Sequence, residues 1–265
     1  MNMNGITWAL LGTLFTFSVT SLGALNVFWV KREVSSSVQC AFLGFAGGVM
    51  VAASVWSLLL PGIDRAEESG QISWLVISGG FLLGVIVLLI ADAFMQRHYM
   101  RSLADGKLSS LKQSTLMLIL AITIHNIPEG MAVGLAFSLA MSDTADPALF
   151  SGALALALGI GIQNYPEGTA VALPLIKDGM NKKKAFLVGS MSAVVEPVFG
   201  VLAAIISTLV TPLMPLLLAF AAGTMIYVVV QELLPEARMC EGDKIATLGF
   251  IAGFLIMMIL DVSLG

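Results

Sequence analysis

Apolar residues along this chain are grouped into long runs that short polar segments separate. Each run reaches about 20 residues or more, the length that an α-helix needs to cross the hydrocarbon core of a bilayer. The pattern predicts an all-α integral membrane protein with eight transmembrane helices in a single polytopic domain over residues 1–265. The predicted helices lie near residues 6–30, 39–60, 72–94, 115–140, 149–176, 185–208, 213–235 and 245–264.

The composition agrees with a membrane protein, because 58% of the 265 residues are hydrophobic and only 11% are charged. Soluble domains carry about 25% charged residues. Of the 13 Lys and Arg residues, Arg65 alone falls on the side of the bundle that holds both predicted termini, and the other twelve fall in loops on the opposite side. Basic residues concentrate in cytoplasmic loops, so both termini are predicted to lie outside the cytoplasm.

The chain has two cysteines, Cys40 and Cys240. Both fall at predicted cytoplasmic ends of helices, where thiols stay reduced. No disulfide is therefore expected.

Two pairs of predicted helices share sequence patterns. The third and eighth helices share the pattern G-F-x-x-G-x7-D, which ends at Asp92 and Asp261 respectively. The second and seventh share F-A-x-G-x-M, which ends at Met50 and Met225. Matching helices are five apart, an odd number, so they cross the bilayer in opposite directions. Helices 1–3 and 6–8 are therefore predicted to form an inverted repeat around helices 4 and 5, a 3+2+3 arrangement of the kind that secondary transporters use.

Polar residues interrupt the fourth and fifth runs in two related motifs, H-N-I-P-E-G at residues 125–130 and Q-N-Y-P-E-G at residues 163–168. A charged side chain at the bilayer centre costs about 3 kcal/mol. Helical residues three and four apart share a face, so each motif aims its first, second and fifth residues at one side. Each proline also removes an N–H donor and frees a backbone carbonyl. An acidic Glu196-Pro197 pair adds a third such segment in the sixth helix.

These motifs predict a metal site at one depth in the membrane. It combines an imidazole, three carboxylates and several amide oxygens without a thiolate, which suits Zn²⁺ and also Fe²⁺, Mn²⁺, Co²⁺ or Cd²⁺. Three glutamates carry a charge of −3, so both one and two bound ions stay open. The candidate ligands are His125, Asn126, Glu129, Gln163, Asn164, Glu167 and Glu196, with Met50 at the same depth. For Met50 the alternative is apolar packing, because Met225 occupies the equivalent place in the repeat.

Four further acidic residues lie near predicted helix ends. Asp64 and Asp261 fall at the outer ends of helices 2 and 8, and Asp92 and Glu232 at the inner ends of helices 3 and 7. They are candidates for an ion pathway into and out of the metal site. The alternative is that they are ordinary solvated carboxylates.

Together these residues resemble the ZIP (Zrt/Irt-like) family of metal transporters, and specifically its bacterial GufA-like branch. The resemblance covers the whole chain and rests on the paired Pro-Glu-Gly motifs. It implies that His125, Glu129, Gln163, Glu167 and Met50 form one metal site. It implies a second site from Asn126, Asn164 and Glu196 with the bridging glutamates, although some relatives carry Asp where this chain has Asn164. It also implies that helices 1, 4, 5 and 6 move against helices 2, 3, 7 and 8.

The function expected from these features is secondary or facilitated transport of a divalent metal, Zn²⁺ first, from outside into the cytoplasm by alternating access. The chain has no G-x-x-x-x-G-K-[ST] phosphate loop, so ATP use is not expected, and neither is enzyme activity or an organic cofactor. The alternatives are an intramembrane zinc metallohydrolase and a metal-selective channel. The chain lacks the H-E-x-x-H helix that is typical of zinc hydrolases. The expected partners are the lipid bilayer of a bacterial inner membrane, divalent metal ions and a possible homodimer, with no nucleic acid. The glycines of helices 3 and 8 suit either packing within the static group of helices 2, 3, 7 and 8 or a homodimer.

Overall fold

A computed structural model describes residues 3–29, 36–104, 113–142, 147–209, 211–238 and 243–264, and these residues are helical apart from short turns. We number the helices α1 to α8 in chain order. They are α1 (Met3–Ala24), α2 (Ser36–Ala53, continued by Leu60–Glu68), α3 (Ser73–Ala104), α4 (Gln113–Ser142), α5 (Pro147–Lys177), α6a (Lys182–Met191), α6b (Val195–Leu209), α7 (Met214–Val228, continued by Leu234–Arg238) and α8 (Asp243–Leu264).

Seven helical stretches of the described chain are long and apolar enough to cross a membrane. They are Asn4–Phe28, Cys40–Glu68, Ser73–Phe94, Pro147–Ile176, Lys182–Leu209, Met214–Leu233 and Lys244–Ser263. The structure thus confirms an all-helical membrane protein and seven of the predicted spans. The fourth predicted span corresponds to α4, a helix of 30 residues that is not among the seven.

Two helices contain a wider turn of π-helix at matching places. Residues Ser54–Leu59 form such a turn within α2, and residues Val229–Leu233 form one within α7. In each, a backbone N–H bonds five residues back, from Leu60 to Val55 and from Leu234 to Val229. A proline follows each turn after one residue, Pro61 in α2 and Pro235 in α7. A proline ring crowds the carbonyl four residues earlier. The widened turn relieves that clash, so α2 continues to Glu68 rather than ending near residue 60 as predicted.

The helices fall into two groups by their contacts. Within the first group α2 packs along α8 and α3 along α7, and within the second α1 packs along α5 and α4 along α6b. An apolar core joins the groups where α4 and α5 meet α2, α7 and α8. Its members include Ala53, Val133, Leu156, Met225 and Met257, all fully buried.

Close backbone contact between α2 and α8 depends on glycines from both helices. A Cβ on Gly48 would lie 2.0 Å from the carbonyl oxygen of Phe250, and a Cβ on Gly253 would lie 2.1 Å from that of Phe45. No side chain fits in that space, because real Cβ atoms do not approach an oxygen so closely. Glycine at these positions lets the two backbones touch.

The contact between α3 and α7 repeats this arrangement. A Cβ on Gly223 would lie 2.2 Å from the carbonyl oxygen of Phe81, and a Cβ on Gly84 would lie 2.3 Å from that of Phe220. The glycines of α3 and α8 that suggested a homodimer surface are therefore used for packing inside the chain.

Cys40 lies where the ends of three helices meet. Its side chain is buried against Ala237 at the end of α7 and Ala246 at the start of α8. It is disulfide-bonded, so the expectation that its thiol is free is wrong. Cys240 lies outside the described residues.

The glycine contacts predict a large difference between two substitutions in the same helix. Gly84→Ala places a methyl group against the α7 backbone, so it should lower the unfolding free energy by about 1–3 kcal/mol through overpacking. Gly79→Ala is the matched control, because nothing lies within 4 Å of its Cβ position and alanine favours a helix. Thermal unfolding of both variants in detergent measures the difference. Equal melting temperatures would contradict close backbone packing at Gly84.

Candidate metal centre

The amide and carboxylate side chains of both Pro-Glu-Gly motifs are buried inside the helix bundle. Asn126 and Glu129 of α4 and Gln163 and Asn164 of α5 are fully buried, and Glu167 of α5 is 6% exposed. Both helices continue through their prolines, Pro128 and Pro166, without ending. The motifs thus lie within long helices, as their spacing predicted, and these five side chains face the interior of the bundle.

The sixth predicted helix is broken beside the third acidic segment. It ends at Met191 as α6a and restarts at Val195 as α6b, with Glu196 in its first turn. Pro197 lacks an N–H, so it suits the first turn of a helix and not the interior of one. The break leaves the carbonyl of Ser192 available, and the Asn126 side-chain nitrogen donates to it at 3.2 Å.

A glycine of the first motif sets how closely α4 approaches this break. A Cβ on Gly130 would lie 2.4 Å from the carbonyl oxygen of Glu196. The backbones of α4 and α6b therefore touch beside the acidic residue. This contact brings Glu196 to the depth of the two motifs.

Three buried amide side chains are each held by a hydrogen bond from the amide nitrogen. The nitrogen of Gln163 donates to Oε1 of Glu129, that of Asn164 donates to Oε1 of Glu196 at 3.0 Å, and that of Asn126 donates to the Ser192 carbonyl. Nitrogen and oxygen occupy opposite branches of an amide. Fixing the nitrogen therefore also fixes the direction in which the oxygen points.

Four buried oxygen atoms of this cluster have no hydrogen-bond donor within the described part of the chain. They are Asn126 Oδ1, Glu129 Oε2, Gln163 Oε1 and Asn164 Oδ1. Buried acceptors are almost always satisfied, because an unsatisfied one costs about 1–3 kcal/mol. A divalent cation placed among these oxygens would satisfy several of them at once.

The carboxylates of the cluster act on one another. Glu129 interacts electrostatically with Glu167 and with Glu196, and Glu196 also interacts with Glu167. Like charges that share a dry site repel, and a divalent cation between them reverses that repulsion. Oxygen ligands of carboxylate and amide type suit a hard or borderline dication.

The structure brings some of the predicted ligands together and leaves others apart or undescribed. Gln163 is hydrogen-bonded to Glu129 and Asn164 to Glu196, while Asn126 is hydrogen-bonded to the Ser192 carbonyl at the helix break before Glu196. Across the described side chains, no three His, Cys, Asp or Glu residues alone enclose an ion. The described cluster is therefore a mixed site of carboxylates and amides.

The two remaining candidates of the metal site are His125 and Met50. His125 lies in α4, but its side chain is outside the described part of the structure. Met50 is fully buried in the apolar core of α2, and so is Met225 at the equivalent place of the repeat. Packing accounts for the position of Met50, and its role as a ligand stays a prediction.

The four pathway candidates differ in their surroundings. Asp261 is only 6% exposed and accepts a hydrogen bond of 2.7 Å from Ser57, so it is not a solvated helix end. Asp92 is half-buried and accepts a bond of 3.4 Å from the Tyr227 hydroxyl. Glu232 is half-buried and Asp64 is exposed. Ser57 and Glu232 both lie in the π-helical turns, which often mark functional positions.

Sequence reasoning missed one polar residue of the centre, Thr16 in α1. Its hydroxyl donates to Oε2 of Glu196. A signal was present, because Thr13, Thr16 and Thr20 are three and four residues apart and share one face of an otherwise apolar helix. All three are fully buried.

Residues 101–261 match the protein family described as "ZIP Zinc transporter". Among similar proteins, "Zinc transporter ZIP11" of Xenopus tropicalis is 37% identical over 329 residues, covering 97% of each chain. "Zinc transporter ZIPB" of Bordetella bronchiseptica is 37% identical, covering 98% of this chain and 82% of that protein. "Zinc transporter GufA" of Myxococcus xanthus is 34% identical, covering 97% of this chain and 98% of that protein.

The free oxygens predict that a divalent cation stabilises the folded protein. Zn²⁺ at 100 times its dissociation constant should stabilise it by about 2.7 kcal/mol, measured as a rise in melting temperature. Glu129→Ala should abolish this rise, because it removes a free oxygen and the acceptor that orients Gln163. Glu67→Ala, which removes an exposed carboxylate, is the control and should keep it. A full Zn²⁺ response in Glu129→Ala would contradict the site.

Proposed function

This chain belongs to the ZIP family of zinc transporters, and from that premise we propose that it carries Zn²⁺ or a similar divalent cation across the membrane. The observation that carries the proposal is a set of four buried oxygens, on Asn126, Glu129, Gln163 and Asn164, that have no donor within the described part of the chain. A divalent cation would satisfy them together. The relatives named above are zinc transporters, which favours Zn²⁺ over Fe²⁺, Mn²⁺, Co²⁺ and Cd²⁺.

The proposed site has two halves that share the glutamates of α4 and α5. In the first half His125, Glu129, Gln163 and Glu167, with Met50 from α2, bind one ion. In the second half Asn126, Asn164 and Glu196 complete a site that is weaker than one with Asp at position 164. Support for the weaker second half comes from Glu196, whose two oxygens already accept hydrogen bonds from Thr16 and Asn164. We therefore propose one tightly bound ion and a weaker second position.

The proposed membrane topology has eight spans, with α4 as the eighth beside the seven apolar stretches. Helices α1 to α3 and α6 to α8 form an inverted repeat around α4 and α5. Two features support the repeat. The α2–α8 contact and the α3–α7 contact use glycine and phenylalanine at matching positions, and the π-helical turns of α2 and α7 also match. An inverted repeat relates α2 to α7 and α3 to α8, so it relates the α2–α8 contact to the α3–α7 contact.

The proposed orientation places both termini outside the cytoplasm of a bacterial inner membrane, as the distribution of basic residues indicates. This orientation puts Cys40 on the cytoplasmic side, where reducing conditions open a disulfide. A homodimer stays a prediction, and it would use surfaces other than the occupied glycine contacts of α3 and α8.

Movement of α1, α4, α5 and α6 against α2, α3, α7 and α8 is the proposed basis of alternating access. Apart from Ile124, the α4 and α5 residues of the apolar core between the groups lie after Gly130 in α4 and before Gln163 in α5. In the proposed orientation these parts face the outside. A smaller apolar cluster on the opposite side, of Ile122, Val171, Leu175 and Ala185, joins only α4, α5 and α6a to one another. The outer side of the site is thus closed by contact between the groups, and sliding of one group opens it.

Acidic residues on both sides of the site are the proposed ion pathway. Asp261, which is buried and bonded to Ser57, lies on the outer side, and the half-buried Asp92, near Tyr227, and Glu232 lie on the inner side. The exposed Asp64 is the outermost acid of the path.

Two alternatives are less consistent with the site. A metallohydrolase needs a metal-bound water and a spare base, whereas the described glutamates of the motifs interact with one another and with amides. A channel needs a continuous pore, whereas the apolar core closes one side of the site. The geometry therefore favours a carrier.

Uptake of metal by purified protein in liposomes tests the proposed function. Zn²⁺ uptake should saturate and should be accelerated by Zn²⁺ on the far side, as counterflow requires of a carrier. Glu129→Ala should abolish uptake, and Glu67→Ala should not change it. Competition by Fe²⁺, Mn²⁺, Co²⁺ and Cd²⁺ then ranks the cations. Non-saturating uptake would indicate a channel, and normal uptake by Glu129→Ala would contradict the site.

A further inference from the structure

Three threonines of α1 line the interior of the bundle but make different contacts. The Thr13 hydroxyl donates to carbonyl oxygens of its own helix, to that of Ala9 at 2.7 Å and to that of Leu10 at 3.2 Å. The Thr16 hydroxyl has two acceptors, the Thr13 carbonyl oxygen of its own helix at 3.0 Å and Oε2 of Glu196 in α6b. Thr16 therefore makes a polar contact between α1 and α6b, whereas the hydroxyl of Thr13 bonds to carbonyl oxygens of α1.

Glu196 is held from two sides. Thr16 donates to one carboxylate oxygen, and the amide nitrogen of Asn164 donates to the other at 3.0 Å. Thr20 lies beside the same carboxylate. With both oxygens engaged, the carboxylate plane of Glu196 has a defined orientation.

The orientation of Glu196 determines that of the Asn164 amide. The Asn164 nitrogen contacts Oε1 of Glu196 and lies 3.5 Å from the backbone carbonyl of Thr16. Both contacts are on the α1 and α6b side, so the amide oxygen points away from them. That oxygen is buried and has no donor within the described part of the chain.

We propose that Thr16 is a positioning residue for the metal site: by anchoring Glu196 it fixes the Asn164 amide with its oxygen directed at the transported cation. The inference rests on the proposed function, since it assigns a role within the same site. Thr16 does not itself contact the cation. It is the fixed end of a series of two hydrogen bonds, one between Thr16 and Glu196 and one between Glu196 and Asn164.

Without the Thr16 hydroxyl the carboxylate of Glu196 keeps the Asn164 nitrogen as a donor and Thr20 beside it, but it loses the bond that holds Oε2. The Asn164 amide then bonds to a carboxylate that is held less firmly, and its oxygen points at the site for a smaller part of the time. A ligand that must be oriented on each binding event weakens binding. The expected consequence is weaker cation binding without a change in the rate at which the loaded transporter moves.

Thr16→Val tests this role, because valine has the shape of threonine without the hydroxyl. Titration of purified protein with Zn²⁺ should give a dissociation constant raised about tenfold, as expected for loss of a hydrogen bond to a charged group. The KM for Zn²⁺ uptake in liposomes should rise with it, while the maximal rate per folded transporter stays the same. Damage to the fold would instead lower the maximal rate and leave KM unchanged.

Two single variants are the controls. Thr16→Ser keeps the hydroxyl and should bind Zn²⁺ as the wild type does. Thr13→Val removes a buried hydroxyl one turn away that bonds only to α1 itself, and it should also leave the dissociation constant unchanged. In a Glu196→Ala background, Thr16→Val should cause no further loss, because the group it anchors is gone.

The proposal is overturned if Thr16→Val binds Zn²⁺ as tightly as the wild type, or if Thr13→Val weakens binding equally. It is also overturned if Thr16→Val weakens binding tenfold in the Glu196→Ala background. Binding and uptake are separate readouts. A wild-type protein that binds Zn²⁺ without transporting it would contradict the proposed function, while the binding series still decides the role of Thr16.

Discussion

Three carboxylates buried at one depth of a membrane protein are the constraint on which the structure depends. Glu129, Glu167 and Glu196 repel one another, and the surrounding amides neutralise none of that charge. The amides instead bond through their nitrogens, so within the described part of the chain the oxygens of Asn126, Gln163 and Asn164 have no donor. A divalent cation would satisfy these oxygens and reduce the repulsion between the carboxylates at the same time. In the proposed transporter, the ion that satisfies this cluster is the ion that is carried.

The fold supports this centre by close backbone contacts. Gly130 touches Glu196 and Gly168 touches Thr20, so α4 meets α6b and α5 meets α1 at the level of the site. A Cβ on Gly168 would lie 1.9 Å from the Thr20 carbonyl oxygen. These contacts bring four helices near enough for short side chains such as Thr16 and Asn164 to meet. The contacts of α2 with α8 and of α3 with α7 use other glycines. The surface between the two groups of helices is apolar.

Much of this architecture was predictable from the sequence because it depends on local patterns. Apolar run length predicted the helices, and the spacing of the motifs predicted which polar residues share a face. The break in α6 was not predicted, although Pro197 was visible, because a proline is compatible with a kinked helix as well as with a new start. The π-helical turns depend on packing as much as on Pro61 and Pro235. The bond from Thr16 to Glu196 joins residues 180 positions apart, and only the fold reveals it.

Anomalous X-ray scattering at the zinc absorption edge, from crystals grown with Zn²⁺, tests the central claim most directly. The account predicts a peak at the mid-membrane cluster, with Glu129, Gln163 and Glu167 among the ligands and the amide oxygens facing the ion. A structure with Zn²⁺ bound only at surface residues, and with the buried amides turned so that their nitrogens face an empty centre, would contradict it.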